Sequence, residues 1–120
     1  MITDFLRGRS NEKVKLLESL LEEGTAHMCE ITYAEICFGA ADIKQYKQYA
    51  KYFLEMPFLR LKNNWPERTA EMGFSLRKSG RQPFLADLLI GLTAIEHDAI
   101  LLTHDQDFEP FKKLFGMRIE

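Results

Sequence analysis

Residues 83–108 read PFLADLLIGLTAIEHDAILLTHDQDF, and their order decides the fold. Pro83 suits the start of a helix, and the apolar residues behind it carry that helix to about His97. Ala99-Ile100-Leu101-Leu102-Thr103 is then a continuous apolar run of strand length, the pattern of a strand buried on both faces of a parallel sheet. Asp105 and Asp107 follow at the strand's carboxyl end, where open α/β sheets place their ligand sites.

The same alternation extends in both directions. Upstream, Ser10 or Asn11 caps a helix with Val14, Leu17, Leu20 and Leu21 at helical spacing, and Gly24 stops it. Residues 25–29 read as a short strand, and a helix restarts at Thr32 and runs to about Gly39. A second amphipathic helix covers 42–56, with Tyr46, Tyr49, Ala50 and Phe53 on one face. Pro57 breaks it, 58–61 is a strand, and Asn64 with Pro66 opens a helix towards Ser79-Gly80. Downstream, 105–114 forms a short closing helix, Gly116 stops it, and 117–119 is an edge strand. Strands separated by helices predict an α/β fold with a short parallel sheet.

The chain has 120 residues, 46% of them hydrophobic and 28% charged, which is one globular domain with one core. Its longest nearly uncharged runs, 31–41 and 83–95, are shorter than the roughly 18–20 apolar residues of a membrane helix. The first residues lack the basic start and apolar stretch of a secretory signal, so a cytoplasmic protein with reduced thiols is expected. Cys29 and Cys37 match neither a redox pair nor a zinc pair in spacing and read as packing residues. The net charge is −2, but its distribution is uneven. Residues 56–82 carry Arg60, Lys62, Arg68, Arg77, Lys78 and Arg81 against Glu67 and Glu71. Residues 83–110 carry Asp87, Glu96, Asp98, Asp105, Asp107 and Glu109 and no Lys or Arg. The basic stretch is either a track for an anionic substrate or a solvated face.

Glu35 is the sole charged residue of 31–41, and Asp87 of 82–95. If such acids converge with Asp105 and Asp107, they cannot all stay ionised without a cation, and their hard oxygens suit Mg²⁺ or Mn²⁺. Each has a structural alternative. Thr32-Tyr-Ala-Glu35 fits a capping box, Asp105 fits an N-cap, and Asp107 and Asp87 fit the first turn of a helix. Gly91 and Ala94 share a helix face with Asp87, so a bulky group can approach beside that acid. His104, between the strand and the acids, is either a phosphate contact or an exposed loop residue.

Four stretches in order, Asp4-Phe-Leu-Arg-Gly8, Thr32-Tyr-Ala-Glu35-Ile with Gly39 following, Phe84-Leu-Ala-Asp87 to Ala94, and Leu102-Thr103-His-Asp105-Gln-Asp107-Phe108, resemble the PIN-domain ribonucleases of the VapC toxin type. The resemblance covers essentially the whole chain. It implies a three-layer α/β/α nuclease, a hydrolase in which acids bind Mg²⁺ or Mn²⁺ and direct water at an RNA phosphodiester. Glu35, Asp87 and Asp105 match the family's catalytic metal acids, Asp107 a frequent additional one, and Thr103 a supporting hydroxyl. A cognate antitoxin and a homodimer are the implied protein partners. Arg60, Lys62, Arg77, Lys78 and Arg81 are candidates to hold the RNA backbone.

The family opens on a central strand ending in Asp-Thr-Ser, whose aspartate is a metal ligand, and Asp4 matches a later, non-catalytic position. The expectation is a start upstream of Met1. The sequence as written would then bind metal weakly and gain activity once the strand is restored. The alternative is an inactive, truncated or degenerate PIN domain that binds an antitoxin, with the Tyr46/Tyr49/Phe53 helix as a contact surface.

Overall fold

Helices and strands alternate as the hydrophobic pattern requires. The computed structural model describes residues 15, 19, 22–23, 26–101, 109–116 and 118–119. Lys15, Ser19, Glu22 and Glu23 are helical and exposed, the polar side of the helix expected after Ser10 or Asn11, whose apolar positions lie outside the described residues. Then follow β1 (Met28–Cys29), α1 (Glu30–Phe38), α2 (Ile43–Leu54), β2 (Phe58–Leu59), α3 (Trp65–Lys78), α4 (Leu85–Glu96), β3 (Ile100–Leu101), α5 (Glu109–Phe115) and β4 (Arg118–Ile119). β1 pairs with β2 in parallel, Met28 opposite Phe58, and β3 pairs with β4 in parallel, Ile100 opposite Arg118. Among the described residues no ladder joins the two pairs.

Local chemistry sets the helix ends. The Asp42 carboxylate accepts from the Gln45 amide at 2.7 Å, while Gln45 Oε1 accepts from the Ala41 amide at 2.7 Å, so α2 starts on a reciprocal cap. Pro66 occupies the first turn of α3, where its missing N–H costs nothing. At the other end of α3, Arg81 N–H reaches the Leu76 carbonyl and Gly80 N–H the Arg77 carbonyl, both at 3.0 Å. This Schellman closure needs a left-handed residue, and Gly80 supplies it at φ 87°. The start of α4 is different. Its N-cap is Phe84, extended at ψ 147°, and no side chain caps the helix.

The core lies where α3, α4 and α5 meet, with Met72 and Leu76, then Leu88, Leu92 and Ala94, then Phe111. α4 is buried on most sides, as its apolar composition requires, and its buried Thr93 hydroxyl is satisfied by the Leu89 carbonyl at 2.7 Å. The Thr69 hydroxyl of α3 is buried and has no hydrogen-bond partner among the described residues.

Two expectations are corrected here. The run beginning at Ala99 was expected to be buried on both faces, but Ile100 is 50% exposed. Among the described residues β3 has a strand neighbour on one side alone, β4, so the sheet does not enclose it. The small residues beside Asp87 were expected to leave room for a bulky group. Instead the ring of Phe111 fills that room: a Cβ added at Gly91 would lie 2.5 Å from its Cδ2 and Cε2. Gly91 is the socket that seats Phe111 of α5.

Candidate active site

Glu35 and Asp87 stand on helices that pack against each other, α1 and α4. The capping-box explanation of Glu35 does not hold. α1 begins at Glu30, two residues before Thr32, with Cys29 at its N-cap and no side-chain cap. Glu35 therefore lies in the body of the helix, too far along to bond back to its start. Its side chain is exposed and, among the described residues, has neither a hydrogen-bond nor an ion-pair partner. Asp87 is half-buried in the first turn of α4, where the helix dipole favours a carboxylate. Thr103, His104, Asp105 and Asp107 lie outside the described residues.

The donors are carboxylates, which fit a hard divalent cation. Among the described residues no three His, Cys, Asp or Glu side chains form a metal-holding group, and Cys29 and Cys37 are free thiols, half-buried and buried. Two carboxylates on neighbouring helices are thus what the described part of the fold offers a Mg²⁺ or Mn²⁺ ion.

The cations divide into two sets. Arg60 and Lys62 are tied into the fold just after β2. Arg60 Nη1 donates to Glu30 Oε2 at 2.9 Å and its guanidinium lies over the Phe58 ring, 5.3 Å from the centroid. Glu30 Oε1 also accepts from the Leu61 amide at 2.8 Å, so one carboxylate at the start of α1 holds the exit of β2. Lys62 Nζ lies 3.7 Å from Glu96 Oε2, and the Glu96 side chain is 7% exposed with Oε1 unbonded. His97 completes this corner: its Nε2 donates to the Arg60 carbonyl at 2.8 Å. Glu30 and Glu96 were not singled out by sequence, because one directly follows a strand and the other ends an apolar helix, both ordinary places for an acid. Arg77, Lys78 and Arg81 form the second set, exposed at the last turn of α3 and just beyond it.

Two residues before Glu35, Tyr33 packs edge-on against Phe58 at 5.4 Å. Desolvation, with smaller contributions from Cys37 and Tyr46, raises its hydroxyl above the usual phenol value, which keeps it neutral at physiological pH. The aromatic stripe of α2 runs from the interior to the surface: Phe53 is buried, Tyr49 half-buried, and Tyr46 exposed. No helix among the described residues is long and apolar enough to cross a membrane.

Comparison with known proteins gives this arrangement a family. Three similar solved structures come from toxin–antitoxin pairs. VapBC2 from Rickettsia felis, bound to a DNA fragment from their promoter, superposes with a TM-score of 0.76 at 21% identity, over 99% of this chain and 90% of that one. VapBC-1 from nontypeable Haemophilus influenzae gives 0.63 at 25% identity over 78% and 71%. VapBC-5 from Mycobacterium tuberculosis, a member of the VapBC family of toxin–antitoxin systems, gives 0.60 at 23% identity over 74% and 75%. A comparison with curated proteins returned no match. The family profile of the PIN domain matches residues 1–114, a span that takes in Glu35, Asp87, Asp105 and Asp107, and the chain belongs to the PIN-domain family.

Proposed function

We propose that this PIN domain is a metal-dependent endoribonuclease, the toxin of a toxin–antitoxin pair, acting in the cytoplasm. The observation that carries the reading is the family match over residues 1–114, which includes all four acids. The fit of the chain to structures from VapBC pairs supports a cognate antitoxin as partner.

Glu35, Asp87 and Asp105 would hold Mg²⁺ or Mn²⁺, Asp107 would add a fourth carboxylate, and Thr103 would be a supporting hydroxyl. The bound cation supplies a more acidic water and screens charge developing on the phosphate. The protein's own part is electrostatic and positional. Its carboxylates gather at one place, and Arg77, Lys78 and Arg81, with Arg60 and Lys62 beyond, hold the RNA backbone through contacts that weaken with salt. No side-chain nucleophile is needed.

The test is cleavage of a labelled single-stranded RNA in Mg²⁺ or Mn²⁺, with Glu35→Gln, Asp87→Asn and Asp105→Asn. Each substitution is expected to lower the rate at least about 100-fold, the scale of a lost electrostatic group at a reacting centre. Metal-independent cleavage, or full activity in Asp87→Asn, refutes the reading. A second reading, an antitoxin-binding module without cleavage, draws on the exposed apolar side chains Phe38, Ile43 and Tyr46 where α1 meets α2. It predicts a tight antitoxin complex with no metal response, and it is also the reading in which a homodimer would use α2.

A further inference from the structure

The connector between α3 and α4 gathers three cations and an aromatic ring at the end of the molecule that carries Asp87. α3 and α4 pack through Gly73 and Leu88, whose Cδ1 is 3.1 Å from where a Gly73 Cβ would stand. The last turn of α3 and the first turn of α4 therefore lie together, joined by residues 79–84. Arg77, Lys78 and Arg81 are exposed there, and over 74–87 they face one acid, Asp87. Two phenylalanines of the same stretch, Phe74 and Phe84, are exposed, and they differ. Phe74 is capped by Lys78, whose Nζ is 5.4 Å from the ring centroid. Phe84 is 71% exposed, and among the described residues no ring or cation is seated on it.

Phe84 is also a poor choice for its local structure. It is the N-cap of α4, a position where Ser, Thr, Asp or Asn would bond a free amide, and the helix has no side-chain cap. An exposed ring that does not cap, in a connector that carries Arg81 and follows Arg77, three residues before a candidate metal acid, breaks the local rule where function would ask for it. We propose that Phe84 is a stacking platform for an unpaired base of single-stranded RNA, with Arg77 and Arg81 on the adjoining phosphates. Every base has a π-face, so such a platform binds single strands with little sequence preference and cannot engage a base paired within a duplex. The inference rests on the reading of the chain as an RNA-acting PIN domain, and makes Phe84 a positioning residue of that site.

The experiment uses the full chain and a fluorescein-labelled single-stranded RNA of mixed sequence, followed by anisotropy, with the corresponding duplex as control. Phe84→Asn adds a neutral cap without adding charge. It is expected to raise the Tm by about 3 °C while weakening single-strand binding about 5- to 100-fold, with duplex binding unchanged. Phe84→Trp is expected to bind like the wild type or better. A stabilised but binding-impaired protein is a combination that a merely structural role does not produce. Equal single-strand affinity in wild type and Phe84→Asn, or no single-strand binding by the wild type, overturns the proposal. So does loss of self-association in Phe84→Asn with RNA binding intact, which would make the ring a contact between copies. Metal-dependent cleavage of the same RNA is scored separately. RNA binding lost in Phe84→Asn without any cleavage leaves the platform standing and removes the ribonuclease, whereas cleavage with unchanged Phe84→Asn affinity does the reverse.

Discussion

Replacing Gly91 with alanine sets two effects of opposite sign against each other. In an ordinary helix interior the change stabilises by about 1 kcal/mol, because glycine pays more backbone entropy. Here the new methyl group would stand 2.5 Å from Cδ2 and Cε2 of Phe111 and 3.3 Å from Cζ. Comfortable carbon contacts begin near 3.5 Å, so the ring must retreat by about 1 Å. It has little room, since Phe111 is 2% exposed and wedged among Leu88, Leu92 and Met72. Overpacking of this kind costs about 1–3 kcal/mol. After the gain in helix propensity of about 1 kcal/mol, the net expectation is a loss of up to about 2 kcal/mol. The assay is urea denaturation followed by far-UV circular dichroism, with Phe111→Leu made alone and together with Gly91→Ala. The double variant should be more stable than the sum of the single losses by about 1 kcal/mol, because the smaller side chain admits the methyl group. A Gly91→Ala protein that gains about 1 kcal/mol, the propensity effect unopposed, would refute the socket.

Two further perturbations test the described contacts. Glu30→Ala removes both anchors of the β2 exit and leaves the partly buried Leu61 amide without its acceptor, so a loss of about 1–3 kcal/mol is expected. Glu30→Gln keeps an amide oxygen for Leu61 and should lose less; equal losses in the two variants, measured by urea denaturation, would show that the Leu61 bond contributes nothing. Thr69→Val deletes a buried hydroxyl that has no partner among the described residues at nearly constant volume. It is expected to stabilise by up to about 1 kcal/mol, and a loss of that size in the same assay would mean the hydroxyl is satisfied in solution.

The sequence was most legible where punctuation and periodicity agree. Asp42, Pro66, Gly80 and Gly116 each stand at an element boundary as expected, and both strand pairs are parallel, as strands separated by helices require. The stretch 58–61 pairs over Phe58–Leu59 alone, because an apolar run records burial rather than pairing, and Ile100, with one strand neighbour among the described residues, is half exposed. Thr32 and Glu35 fit a capping box that the helix does not use, since it starts earlier, directly from β1. Spacing alone could not reveal that, and the error concealed that Glu35 has no structural duty among the described residues. Gly91 was read as access for a ligand when it is access for Phe111, because periodicity tells which face a residue occupies and not what covers that face. The isolation of Asp87 in apolar surroundings was readable from sequence, whereas the exposure of Phe84 depends on the turn between α3 and α4 and was not.

Among the described residues the strands form two separate parallel pairs, and this has a thermodynamic consequence. One pair closes within residues 28–59, bringing Glu35 with it, and the other belongs to the stretch that follows α4. Among the described residues, helix packing rather than a continuous ladder unites them, with α1 against α4. The two halves are thus candidates for separate cooperative units in hydrogen exchange, free to part locally before either unfolds. In the metal-dependent reading proposed above, a divalent ion that residues of both helices would hold would be a ligand of the docked state alone. Its concentration would then enter the apparent stability of the protein through mass action, and opening of the junction would report metal occupancy before any RNA is cut.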